Sequence, residues 1–197
     1  MQGTHPIVEI ASDKIDLAPY AKRAIELFGG VRPEAANWLA LMTAKHFNQG
    51  NLGRSIAKDG SPLTESDYAA LDVPRFIKIC REAAEVLERD ALLDNPVTTL
   101  NLLATRIAKW AYGENRRRAL MSMAPGRYYR SAEVWPMGRC CIEMRSLSRY
   151  RLPLDAAPLL PLPTCRVQRC QCVMKPSRKE PNCRVSFDDG VAQIDDL

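Results

Sequence analysis

Apolar residues recur at the 3.6-residue spacing of amphipathic helices through residues 1–124, and that pattern stops near Pro125. Beyond the break, residues 125–197 hold six of the seven cysteines and gather Arg and Pro without a sustained period. The two stretches obey different packing rules. The chain therefore reads as an α-helical domain, 1–124, followed by a basic Cys/Pro-rich segment, 125–197. A domain of roughly 120 residues buries about two-thirds of the surface its unfolded chain exposes and needs no staple. For the second segment two readings stand: it is metal-stabilised, or it lacks stable structure. A stretch rich in Arg, Cys, Pro, Ser and Leu is also what a coding region read out of frame produces.

The expected fold class is mainly α, a compact helical bundle of about five helices followed by a Pro/Arg/Cys-rich, largely irregular C-terminal segment. Leu17, Ala21, Ala24, Ile25 and Phe28 share one face of a first helix, opened by Asp16 and stopped by Gly29 and Gly30. Pro33 opens a second helix to about Gln49, and Thr64 with Asp67 forms a capping box for a short one. The longest predicted helix covers residues 72–92 on the stripe Val73, Phe76, Ile77, Cys80, Ala84, Leu87 and Ala91. Another starts at Pro96, capped by Asp94 or Asn95, and ends at Gly113, with a further helix continuing to Met123 before Pro125 and Gly126 break it. Residues 5–10 read as an extended lead-in without a partner strand. The proline-spaced residues 152–163 read as an extended linker, and 183–187 as a β-like run.

Charge follows the same division. Residues 1–124 carry 16 Lys/Arg against 15 Asp/Glu, whereas 127–184 hold 12 basic groups against Glu133, Glu143, Asp155 and Glu180, a local +8. A field of that sign favours a polyanionic partner. The candidate nucleic-acid-binding residues are Arg116, Arg117, Arg118, Arg127, Tyr128, Tyr129, Arg130, Arg139, Arg145, Arg149 and Arg151, with Trp135 among them. They interleave cations for phosphates with flat rings that stack on unpaired bases, which makes DNA or RNA the expected partner. The order helix, Gly29 and Gly30, helix suggests a helix-turn-helix, but Ile25 or Glu26 stands where close helix packing wants a small residue.

Cys165, Cys170, Cys172 and Cys183 are the candidate metal ligands. Their C-x4-C-x-C-x10-C spacing offers four soft thiolates to a tetrahedral Zn²⁺, the one cofactor the composition suggests. The gaps depart from those of ordinary zinc pairs, so free thiols and disulfides stay open as readings. Seven cysteines would leave one outside any closed disulfide framework. Cys140 and Cys141 are adjacent, which makes joint ligation of one ion awkward, and they point at most to a different sulfur site.

Signals for catalysis are thin. The histidines are His5 and His46, Cys80 falls on an apolar stripe, and the chain has no Gly-rich phosphate loop, nucleophile elbow or HExxH motif. No catalytic residue is assigned. The N-terminus lacks the basic and apolar regions of a secretory signal, and no apolar run approaches the roughly 18 residues of a membrane span. The expectation is thus a small cytoplasmic nucleic-acid-binding or regulatory accessory protein, non-catalytic, without membrane contact. The alternatives are a helical module that docks a protein partner and carries a non-functional tail, and a zinc-dependent enzyme.

Overall fold

In the computed structural model, which describes residues 6–10, 13–122, 129–138, 140–165, 170, 172–188 and 191–196, the chain divides into two units, Met1–Ala111 and Tyr112–Leu197. Helix accounts for 47% of the chain and strand for 20% in several small sheets, so the class is mixed α/β. This corrects the expected five-helix bundle with an irregular tail.

The first unit begins with a hairpin. β1 (Ile7–Ile10) pairs antiparallel with β2 (Asp13–Asp16), setting Val8 opposite Ile15, and both are buried. The lead-in does have a partner strand. It escaped notice because Asp-Lys-Ile-Asp carries one apolar residue and shows no alternation. α1 (Ala18–Phe28) follows with Pro19 in its first turn; Asp16 Oδ1 accepts from the Ala18 N–H at 2.9 Å, and Gly29 ends it at φ +63°. Its predicted face is buried at Leu17, Ala21, Ala24 and Ile25. A 3₁₀ turn, Pro33–Ala35, leads into α2 (Ala36–Lys45), and Asn51 caps α3 (Leu52–Lys58). The capping box at Thr64 and Asp67 forms in both directions and starts α4 (Glu65–Ala70).

The long helix expected over 72–92 is broken. Asp72 takes φ +48°, the chain runs irregularly to Cys80, and two short helices follow, α5 (Arg81–Val86) and α6 (Arg89–Asp94). Tertiary pairing overrides local helix preference here. Cys80 bridges to Pro62 and Leu87 to Val31, with Cys80 N–H donating to the Ala57 carbonyl at 2.7 Å. The helical spacing of apolar residues survives the breaks, so Val73, Ile77, Cys80, Ala84 and Leu87 are buried as expected, while Phe76 stands 78% exposed.

α7 (Pro96–Ser122) opens at Asn95, whose Oδ1 accepts from the Thr98 N–H at 3.1 Å. Its stripe Leu100, Leu103, Ala104, Ile107 and Ala111 is buried. Gly113 does not stop it; the helix passes straight through, and the boundary between the units falls inside it. The expected end at Met123 and the break at Pro125 and Gly126 lie outside the described residues.

In the second unit β3 (Ser131–Trp135) is the central strand, flanked by β4 (Arg151–Pro153) and β5 (Val173–Ser177), all antiparallel. α8 (Ile142–Leu147) lies between β3 and β4 in sequence, and β6 (Cys183–Asp188) with β7 (Val191–Asp196) makes a closing hairpin. The β-like run at 183–187 is thus a strand. Pro176 hides β5 from a sequence reading, yet β5 is an edge strand, where a missing N–H is tolerated. Ala132, Val134, Leu152 and Met174 point inward to a core with Met144, Leu147, Leu154, Leu160, Leu162 and Cys165. Residues 152–163 are therefore part of the core and not a linker. Proline carries no N–H, so burying this irregular Leu/Pro stretch strands fewer backbone donors.

Candidate functional site

The core of the second unit is lined with sulfur. Cys165, Cys170, Cys172 and Cys183 are buried in it, and Cys140 and Cys141 pack against it from the lead-in to α8. The Cys172 and Cys140 sulfurs are 3.3 Å apart, and Cys140 Sγ also lies 3.3 Å from the Cys141 carbonyl. Burial and the neighbouring Cys172 thiol push the Cys140 thiol up to about 12. Burial, then a hydrogen bond to Glu143 and the neighbouring Cys165, does the same for Cys141, also to about 12. Hydrogen bonding to Cys165, then burial, raises Cys170.

Cys183 stands apart from this group. It lies on β6 opposite Asp196, its thiol 3.7 Å from the Arg151 carbonyl, and burial and Asp196 raise it. The structure therefore gathers three of the four sequence-predicted ligands and adds Cys140 and Cys141, which spacing alone did not join to them. All seven cysteines are free thiols, and Cys80 is a core residue of the first unit with its sulfur 3.7 Å from the Ile56 carbonyl. Among the described residues no group of three or more His, Cys, Asp or Glu side chains is placed so that it could hold a metal ion.

The basic residues are dispersed, and several are neutralised. Glu114 takes Arg117 at 2.9 Å and Arg118 at 3.0 Å, while Arg116 is exposed on the same helix. Arg130 pairs with Glu180, and Arg151 Nε donates to the Glu180 carbonyl at 2.7 Å. Tyr129 packs against the core. Arg145 on α8 and Arg149 just after it are exposed and, among the described residues, in no ion pair. Arg127, Tyr128 and Arg139 lie outside the described residues.

A residue that sequence reading passed over completes the surface. Lys175 on β5 places its Nζ 3.3 Å from the ring centroid of Trp135, which is 46% exposed at the end of β3. Strand alternation sets Trp135, Glu133, Lys175 and Arg151 on the outward face, with Glu133 directly between Arg151 and Lys175 in register. Nothing in the sequence signals the Trp135–Lys175 pair, because 40 positions separate them. In the first unit Lys45 pairs with Asp59, and His46 Nε2 meets the same carboxylate at 2.7 Å, at the end of α2.

Comparison with protein-family models, with curated proteins and with solved structures finds no match for this chain. Among the described residues no helix is long and apolar enough to cross a membrane.

Proposed function

We propose that the protein is a non-catalytic, cytoplasmic nucleic-acid-binding accessory protein that takes single strands on the outer face of the β4–β3–β5 sheet. The observation that supports this reading is the exposed Trp135 ring with the Lys175 ammonium on its face. A base stacked on such a ring contributes about 1–3 kcal/mol and needs no particular sequence. Lys175 supplies the phosphate contact on that face. Glu133 sits between Arg151 and Lys175, Glu114 holds Arg117 and Arg118, and the Glu180 carboxylate holds Arg130. Stacking therefore outweighs charge in this footprint, and the salt dependence is shallow: roughly 0.7 log unit per phosphate contact on a single strand, with few contacts made.

The experiment is fluorescence anisotropy of a labelled oligothymidylate titrated with the full-length protein at several salt concentrations. Trp135→Ala should weaken binding by about 1–3 kcal/mol at every salt concentration, and Lys175→Gln should lower both affinity and the salt slope. Unchanged affinity in Trp135→Ala, or no binding by the native protein at low salt, refutes the reading.

A further inference from the structure

We infer that Cys140 and Cys172 are a redox-responsive pair that a low-molecular-weight disulfide, such as oxidised glutathione, converts reversibly into a disulfide bond. The site does not depend on the nucleic-acid reading. It rests on one contact and on where that contact falls in the sheet. The Cys172 thiol donates to the Cys140 sulfur at 3.3 Å, and the Cys140 thiol donates in turn to the Cys141 carbonyl at the same distance. A disulfide holds its sulfurs about 2.05 Å apart, so the pair needs roughly 1.2 Å of further approach, within the sweep of two side chains turning about their Cα–Cβ bonds. Access divides the roles. Cys140 is half-buried and meets an oxidant from solvent, whereas Cys172 is buried. Cys183, with its thiol on the Arg151 carbonyl, and Cys80, in the core of the first unit, take no part.

The reaction balances in two exchanges. The Cys140 thiolate attacks one sulfur of the oxidant; a mixed S–S bond forms, the oxidant's own S–S bond breaks, and its first half leaves as a thiolate that takes up the proton Cys140 gave. Cys172 then loses its proton and attacks the Cys140 sulfur, and the second half leaves in the same way. Two electrons pass from the pair to the oxidant, and both thiol protons end on its two halves. Burial and the neighbouring Cys172 thiol hold Cys140 up to about 12, so little thiolate exists at neutral pH and exchange is slow. The pair therefore suits a lasting bond that follows the redox poise of its surroundings, not a fast catalytic couple. Position gives the bond its effect. Trp135 and Val173 are the last pair of the β3–β5 ladder, and Cys172 directly precedes Val173. The bond ties the lead-in to α8 to the start of β5 just past that end, across 32 positions of chain. Closing a loop of that length restricts the unfolded chain, so the oxidised second unit is the more stable form.

The test equilibrates the full-length native chain in glutathione buffers of increasing oxidised fraction, then quenches with acid and alkylates the remaining thiols. One bond per chain should form, with a mass lower by two hydrogens, and tandem mass spectrometry should place it between Cys140 and Cys172. Fragmentation has to resolve Cys140 from Cys141 and Cys170 from Cys172, since no Lys or Arg separates either couple. Dithiothreitol should reverse the bond, and the urea midpoint of the second unit should rise on oxidation and return on reduction. Cys141→Ser and Cys170→Ser should keep both the bond and the rise, while Cys140→Ser and Cys172→Ser lose them; the native mapping stands whether or not those variants fold. A bond to Cys141, Cys165 or Cys170 in place of this pair, a glutathione adduct on Cys140 that Cys172 never resolves, or thiols that stay free in the most oxidising buffer would each overturn the assignment. A lower midpoint in the oxidised chain would overturn the stabilising role.

Discussion

Gly113 lies against the backbone of Leu160: a Cβ on residue 113 would overlap the Leu160 carbonyl oxygen and come 3.2 Å from Leu159 Cδ1. α7 therefore needs glycine here for close approach, even though glycine weakens a helix interior by about 1 kcal/mol relative to alanine. The two effects oppose each other in Gly113→Ala. Overpacking against a backbone group costs about 1–3 kcal/mol and has no flexible side chain to absorb it, so strain outweighs the propensity gain. Gly113→Ala should lower the urea midpoint of the second unit with the slope unchanged. A rise in the midpoint would show that the Leu160 contact does not constrain α7.

Glu114 is the acidic partner of two adjacent arginines, and this sets a pH dependence. Hydrogen bonding to Arg117, supported by Arg118, holds its carboxyl below the ordinary value of 4.5. A folded-state pKa below the unfolded one contributes stability that is fully present above about 4.5 and is lost as pH falls through the folded value. Denaturation midpoints measured from pH 6 downward should therefore decline in the native protein as acid titrates this group. Glu114→Gln should be less stable at neutral pH and show a flatter decline. Parallel curves for the two proteins would remove Glu114 from the account.

Much of the first unit was legible in the sequence because its helices announce themselves at their ends. Pro19, Gly29, Pro33, the Thr64–Asp67 box and Asn95 are local signals, and each does what its chemistry predicts. The break at Cys80 and Leu87 was not legible, since both residues keep the spacing of a helical stripe while their backbones bridge to Pro62 and Val31. In the second unit the obstacle was proline. Pro153 and Pro176 mark strand ends and loops in a local reading, yet both sit in edge strands of one sheet. The cysteines divide the same way: Cys165, Cys170 and Cys172 are close in sequence, whereas the Cys140–Cys172 contact spans 32 positions and depends on the fold.

Thr64→Ala isolates one of those local signals. The Thr64 side chain accepts from the Asp67 N–H, and Asp67 Oδ2 returns a bond to the Thr64 N–H at 2.7 Å while also holding Arg81 at 2.8 Å. Removing the hydroxyl breaks the first of these and also its own hydrogen bond to Asp67 Oδ2 at 2.7 Å, leaving the Thr64 N–H and Arg81 to keep Asp67 in place. The expected loss is about 1 kcal/mol, typical of an N-cap truncation. Thr64→Ser should recover most of it, and equal stability of native and Thr64→Ala proteins in urea would show that α4 is held by packing alone.

Arginine substitutions separate surface charge from structural charge in the second unit. Arg145 and Arg149 are exposed and pair with no described acidic group, so Arg145→Gln with Arg149→Gln should leave the unfolding free energy from urea curves within about 0.5 kcal/mol. α8 packs through Met144 and Leu147 against the inward residues of the sheet, so on the proposed footprint the same double variant should leave oligothymidylate affinity and salt slope nearly unchanged. Arg130 and Arg151 behave differently because both reach Glu180, the first through its carboxylate and the second through its carbonyl. Replacing those two by Gln should lower stability through the lost Glu180 contacts, and should also lower the salt slope, since Arg151 meets an uncharged carbonyl and keeps its charge on the outer face of the sheet. Anisotropy titrations and urea curves on the two double variants decide the matter. If the Arg145/Arg149 pair carries the larger salt effect, the nucleic-acid surface lies along α8 and not on the outer face of the sheet.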